Sequence, residues 1–511
     1  MSIGDKSESF DDQQAQAIDV VVSEGGEAPR KRMRSREKDP LTVGIVALGL
    51  QEYWSQFPGL RQKLIEQLEM VQHKISAPSR VIVNLGLLDS QQVALDIARS
   101  CRKNDVDILL VYVATYALSA TLLPVIRRVG VPILLLNLQP AAAIDYAAFN
   151  RMPSRTAMTG EWLAYCSACP LPELANTMNR LNVAFRQVTG TLQDDPECWA
   201  EIDDWLIGAG VAKSLEQSRL GLMGHYYSGM LDVSTDLAQI SGVFGVQIEM
   251  LEVDELSALR RLVTSDESTA KVAQFQSFFD VDSECSLSEQ ERAARTAVAL
   301  ESLVDRHNLD LLAYYYKGTG VAENENTMSS IILGMSFLTA NGVPAAGEYE
   351  VKNSVAMKIL DLLGAGGSFT EYYAMDFAAN LVLMGHDGPG HGQIAEGKIK
   401  VRPLSVYHGK VGTGLSVEMA VRHGPVTLLS VVESRDHGFF LLVAEGESVE
   451  GPILQIGNTN SFYRFRCGAK GFCDAWNVHG PAHHCAVGTG HLARKLERIA
   501  NLLQIRCVII C

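Results

Sequence analysis

Four short stretches set ionisable side chains beside glycine: AGEYE (346–350), GGSFTEY (366–372), MGHDGPGH (384–391) and HGPAHH (479–484). Glycine next to a polar side chain lets the backbone come close to a ligand. Two carboxylates and two imidazoles brought together would hold a divalent ion such as Mn2+, with water filling the remaining positions. The concentration is notable in a chain with only 12 histidines in 511 residues. Each stretch also has a structural reading. Glu348 and Glu350 would suit the positive N-terminal end of the helix that follows them. Ser368 and Glu371 spell the S-x-x-E capping box. His386 would serve in a glycine-rich turn, and His483 and His484 as ordinary core or surface histidines. Spacing alone leaves these alternatives open, because the pieces do not lie on one local element.

The elements that must position these stretches follow an α/β grammar. Apolar runs at 41–50, 80–85, 107–113 and 131–137 alternate with helical segments at 61–73, 90–102 and 119–129. Continuous apolar strands between helices imply a parallel sheet covered on both faces. The ligand edge of such a sheet lies at the strand C-termini. The grammar repeats with strands at 219–224, 246–251 and 309–316 and helices at 230–240, 288–306, 327–339 and 351–363. After about 394 it changes to short β-type runs, at 398–402, 404–407, 415–421, 425–432, 438–444 and 453–456, separated by Gly, Pro and Asn. Short strands in series predict an antiparallel sheet or barrel. The expected fold class is therefore two open parallel-sheet α/β domains, at 41–212 and 213–364, followed by a β-rich, antiparallel or barrel-like domain at 365–511. A polar tail at 1–40 precedes them.

Composition narrows the function classes. Hydrophobic residues are 47% and charged residues 20%, as in an ordinary globular chain. Asp and Glu number 59 against 44 Lys and Arg, a net charge of −15. That balance argues against nucleic acid or an anionic membrane as the main partner, since phosphate binding needs concentrated positive charge. The cluster 30–36 (RKRMRSR) is read as a solvated charge run, with a nuclear-import address as its alternative. Ten cysteines are too sparse for a disulfide scaffold, and the lone CxxC, Cys166 and Cys169, lacks the second pair of a zinc ribbon. Mostly reduced thiols and a cytoplasmic location are expected. No apolar run of about 18 residues predicts a membrane span.

From residue 41 onward the chain resembles the L-arabinose/L-fucose isomerase family, most closely its L-arabinose isomerase branch. The stretches that carry the resemblance are LGLQEYW (48–54), GEYEVKNSVA (347–356), GGSFTEYYAMDF (366–377), LVLMGH (381–386), VYHGKVG (406–412) and PAHHCAVG (481–488). The resemblance implies one Mn2+-type ion held by Glu348, Glu371, His386 and His484. It puts a sugar-contacting glutamine at Gln51 and implies a homo-oligomer, trimeric or hexameric, with active sites shared between subunits. His483, Asp387, His391, His408 and Lys410 are further candidates for the sugar pocket. The chain departs from the branch at 137–143 (NLQPAAA), which lacks the histidine expected to help hold the sugar, and at the glycine-rich run after His386.

The expected activity is metal-dependent interconversion of an aldose and a ketose, with a small, L-arabinose-like pentose or related sugar as substrate. Glu348 and Glu371 would act as the acid/base pair through an ene-diol. The rival is a non-catalytic sugar-binding or regulatory relative, which would not need to keep the metal set. An NAD(P) oxidoreductase is disfavoured, because no G-x-G-x-x-G follows the first strand.

Overall fold

The computed structural model describes residues 39–318, 320–405 and 412–511. The reading of the 1–40 tail, its basic cluster included, falls almost wholly outside these residues, and His408 and Lys410 fall outside them entirely. The first sheet is parallel, with β1 (Leu41–Leu48), β2 (Arg80–Leu88), β3 (Ile108–Val113), β4 (Ile133–Gln139) and β5 (Phe185–Thr191) in the order 2-1-3-4-5. Successive residues of a strand face opposite sides. Val43, Ile45 and Ala47 therefore join Leu64 and Leu68 of the helix Leu60–Ile75 in one core. Val46 and Leu48 join Ala94 and Ile97 of the helix Gln91–Lys103 in another.

The second parallel sheet holds β6 (Arg219–Gly224), β7 (Gln247–Leu251), β9 (Leu311–Tyr315) and β10 (Ala345–Ala346) in the order 10-9-6-7. The two-residue β8 (Asp280–Val281) leaves it to join β13 (Lys400–Leu404) and β14 (Gly414–Glu418) in a small sheet. Two expected helices are corrected here. The one at 230–240 begins only at Leu237, where Asp236 caps it by accepting from the backbone N–H groups of Ala238 and Gln239. The one at 327–339 is two helices, Ala322–Met328 and Ile332–Ala340, parted at the serines Ser329 and Ser330.

The C-terminal part is a closed antiparallel barrel. Its strands are β11 (Gly366–Asp376), β12 (Leu381–His386), β15 (Gly424–Ser434), β16 (Gly438–Val449), β17 (Thr459–Phe465) and β18 (His484–Thr489). The order is 15-18-11-12-17-16, and the pairing of β15 with β16 closes the ring. Closure leaves no open edge among these six strands, and β19 (Arg506–Ile509) adds in parallel outside β16. The strands begin at Gly366, well before the change of grammar seen near 394. The run at 453–456 is not a strand. Ser368 and Glu371 lie within β11, which removes the capping-box reading.

Alternation again decides what faces what. Leu429, Leu441, Val443 and Ala486 pack with Val355, Ala356 and Ile359 of the helix Val351–Leu362. Leu428, Leu442, Ala444 and Val487 belong to the core on the other face of the barrel wall. The thiol expectation meets one exception. Cys467 and Cys511 form a disulfide, their Cα atoms 6.1 Å apart, because the β16–β19 pairing returns the chain toward the helix Gly468–Asn477. The other eight cysteines are free, five of them buried. No described helix is long and apolar enough to cross a membrane.

Candidate metal centre

Strand register assembles most of the site. Glu371 on β11 pairs with His484 on β18 and, on its other side, with Gly385 on β12, the residue before His386. Phe369 and Ala486 lie in the core formed with the helix Val351–Leu362, so by alternation Glu371 and His484 face that way too. The fourth residue arrives from the second sheet. Glu348 follows β10 after one residue, Gly347, at the C-terminal edge of that parallel sheet, as the ligand-edge rule requires.

The turn that delivers it is strained. Glu348 and Tyr349 take φ angles of 56° and 60° in succession. Such left-handed conformations cost on the order of 1–3 kcal/mol each for residues other than glycine. The turn is held by Tyr349 N–H donating to the Tyr314 carbonyl at 3.1 Å and Glu350 N–H donating to the Gly347 carbonyl at 3.0 Å.

The resulting cluster is tight. His484 Nε2 is 3.5 Å from Glu348 Oε2, and His483 Nε2 is 3.8 Å from the same oxygen. His386 Nε2 is 4.0 Å from Glu371 Oε1, and His483 Nε2 is 3.9 Å from Glu371 Oε2. Glu348, His386 and His484 each offer a ligand atom within 4.8 Å of the others, and so do Glu371, His483 and His484. Phe369 forms an apolar floor, its ring centroid 4.6 Å from that of His386 and 4.4 Å from that of His484.

Burial and mutual charge govern the protonation of these groups. Burial raises the pKa of the Glu371 carboxyl and the neighbouring Glu348 charge adds to the rise, while His386 and His483 oppose it. Burial, reinforced by His484, lowers that of His386. Glu348 and Asp232 raise His483 to about 9. Asp232 accepts from His483 twice, from Nδ1 at 2.6 Å and from the backbone N–H at 3.0 Å. Burial alone would raise Asp232, but these bonds overcome it and hold the carboxyl at about 2.

The donor set fits a divalent ion. His484 is fully buried, yet neither of its ring nitrogens has a hydrogen-bond partner among the described residues. A buried imidazole left this way is costly unless something accepts its lone pair. Carboxylates and neutral imidazoles are the ligands that suit Mn2+-type ions.

The remaining sequence-derived candidates scatter. Asp387 adjoins the cluster, its carbonyl bonded to His386 Nδ1 and its carboxylate 3.3 Å from that nitrogen. His391 is buried beyond the glycine-rich run, with neither ring nitrogen hydrogen-bonded among the described residues. Gln51 is exposed just beyond β1 in the first sheet, its backbone N–H bonded to the Asp89 carbonyl. Two residues escaped the sequence reading. Glu350 stood in the GEYE motif but was read only as suiting the positive end of the following helix. Asp232 lies in a loop with no local signal that points to His483.

Two parallel α/β sheets and a closed barrel, with a carboxylate–imidazole cluster where the second sheet meets the barrel wall, give the architecture that the motif resemblance implies. Comparison with known proteins agrees. Residues 366–506 match the family model of the L-arabinose isomerase C-terminal domain. The chain is 24% identical over 356 residues to an L-arabinose isomerase of Nocardioides sp. strain JS614, covering 66% of this chain and 68% of the relative. It is 20% identical over 474 residues to that of Shewanella sp. strain MR-7, covering 89% and 91%. A sulfoquinovose isomerase of Alkalicoccus urumqiensis is 22% identical over 254 residues, or 48% and 55% of the two chains. The resemblance carried by the motifs therefore holds: this chain is similar to L-arabinose isomerases.

Proposed function

We propose that the chain is a metal-dependent aldose–ketose isomerase acting on a small sugar, an L-arabinose-like pentose or a related one. The observation that carries this reading is a pair of carboxylate–imidazole groups that share His484, Glu348 with His386 and Glu371 with His483, the ligand atoms of each group lying within 4.8 Å of one another. Glu348, Glu371, His386 and His484 would hold one divalent ion of the Mn2+ type. When bound, such an ion supplies Lewis-acid polarisation of a sugar carbonyl and stabilises negative charge on its oxygens.

The chain's own residues account for the proton movements. Conversion of an aldose to its 2-ketose takes a proton from C2 and returns one to C1, while the hydroxyl proton passes from O2 to O1. One glutamate of the pair takes the carbon-bound proton, leaving an ene-diol, and the other serves the oxygens. A carboxyl whose pKa is raised by burial, as for Glu371, suits such a role because it holds a proton more readily between accepting and returning it. His483, fixed by Asp232 and favoured in its charged form by Glu348 together with the Asp232 carboxylate, would orient the sugar or donate to it. Asp387 and His391 are retained as pocket candidates beside the glycine-rich run, and His408 and Lys410 as candidates on sequence grounds alone. Gln51, exposed just beyond β1, would contact the sugar, in a homo-oligomer from a neighbouring subunit.

The test is a screen of aldoses and ketoses with Mn2+ present and absent, read by ketose formation, with Glu348→Gln as the inactive control. Metal-dependent turnover is expected. No turnover with any sugar or metal would leave a sugar-binding relative instead.

A further inference from the structure

We infer that Glu350 is the positioning residue for His484, with Lys352 neutralising its buried charge; this rests on the metal-centre reading above. His483 and His484 lie side by side, ring centroids 3.8 Å apart, and both turn Nε2 toward Glu348 Oε2. Each has an acid behind it at Nδ1. For His483 that acid is Asp232, at 2.6 Å. For His484 it is Glu350, whose Oε2 lies 3.7 Å from Nδ1.

Both members of the second pair are fully buried. Neither Glu350 oxygen has a hydrogen-bond partner among the described residues, and neither His484 nitrogen does. A side-chain adjustment of under 1 Å brings the pair to hydrogen-bond length. Glu350 is not left as a lone buried charge, since Lys352 Nζ stands 3.5 Å from its other oxygen. That ammonium is fixed in turn by donating to the carbonyls of Asp232, at 2.8 Å, and Ser234, at 3.0 Å. One lysine thus ties the Glu350 carboxylate to the loop that carries Asp232.

A histidine ligand commonly gives its second N–H to a carboxylate, which fixes the tautomer and ring angle and raises the basicity of the ligating nitrogen. Glu350 would hold the Nδ1–H tautomer of His484 and leave the Nε2 lone pair aimed at the cluster. Glu348 and Glu350 then divide the work of the GEYE turn: the first faces the ion and the second faces a ligand's back.

The experiment pairs two readouts. Nitrogen-15 histidine spectra of the metal-free protein, with His484 assigned through His484→Gln, report the tautomer. Calorimetric titration with MnCl2 reports affinity in the unmutated protein, Glu350→Gln and Glu350→Asp. Expected are an Nδ1–H tautomer for His484, a loss of Mn2+ affinity of about 10- to 100-fold in Glu350→Gln, and partial recovery in Glu350→Asp. An Nε2–H tautomer in the unmutated protein overturns the proposal. So does a Glu350→Gln affinity within about twofold of the original. The tautomer measurement needs no variant at Glu350, so misfolding of one leaves the test intact. An unmutated protein that binds no Mn2+ refutes the metal reading instead, and the tautomer still decides the role of Glu350.

Discussion

Glu348 and Glu371 differ in how they are held, and their substitution should show it. Glu348 sits on a strained turn, whereas Glu371 is fixed by strand pairing on both sides. Conversion of either to Gln keeps the shape and removes the charge. Turnover should fall by about 10²–10⁴, the range for loss of positioned acid–base help, and Mn2+ content should fall as well. Elemental analysis alongside kcat checks both, and unchanged metal in both variants would exclude them as ligands. Asp232 acts through His483, so Asp232→Asn should leave metal content intact while lowering kcat/KM by about tenfold. Equal losses of metal and activity would place Asp232 with the ligand-positioning groups instead.

At the scale of elements, the site depends on how closely the barrel wall approaches its neighbours. A Cβ added at Gly385 would meet the Thr459 carbonyl oxygen at 2.0 Å and Asn460 Cβ at 2.8 Å. Gly367, at φ +113°, would meet the Met357 carbonyl oxygen at 2.5 Å, on the helix that follows Glu350. In both cases the obstacle is backbone, which cannot swing aside. Gly385→Ala should therefore part β12 from β17 beside His386, and Gly367→Ala should push the helix Val351–Leu362 off the barrel. Each is expected to cost at least about 1–3 kcal/mol and to weaken Mn2+ binding. Thermal denaturation with and without the metal measures both effects. By contrast Gly388, at φ +114°, has open space around its added Cβ, so a substitution there bears on backbone conformation alone.

At the scale of the whole molecule, two expectations concern assembly and substrate. Ala142, Ala143 and Tyr146, just past β4, are exposed on the single chain, Tyr146 to 67%. A short apolar patch of this kind suits a subunit interface. The chain should run as a homo-oligomer in light scattering, and Ala143→Glu should shift it toward smaller species. A fully active monomer would refute shared active sites. The 137–143 stretch also lacks the histidine that the family resemblance places there, and a sugar hydroxyl buried without its partner is disfavoured. L-Arabinose should accordingly be preferred over other pentoses, tetroses or 6-deoxy sugars by less than about 100-fold in kcat/KM, or about 3 kcal/mol. A larger preference would show that the altered rim does not govern choice.

Much of this architecture was legible in the sequence because it rests on local periodicity. Buried strands such as 41–48 and 108–113 are continuous apolar runs, and the intervening helices repeat their apolar faces at regular spacing. Glu348, Glu371, His386 and His484 were legible for another reason: each sits in a glycine-marked motif that a family resemblance could match. Local signals gave way where they competed with distant ones. Ser368 and Glu371 spell a helix cap, yet β11 is a strand because its two barrel neighbours satisfy its backbone. The helical pattern at 230–240 gives way before Leu237, where the loop's Asp232 and Ser234 carbonyls are taken by Lys352 and the Asp232 carboxylate by His483. Only the tertiary structure decided that Glu350 stands behind His484 and Asp232 behind His483, pairs 134 and 251 residues apart. Contacts at such separation leave no trace in spacing or hydropathy, because they are fixed by barrel closure and by the docking of the second sheet against the barrel wall.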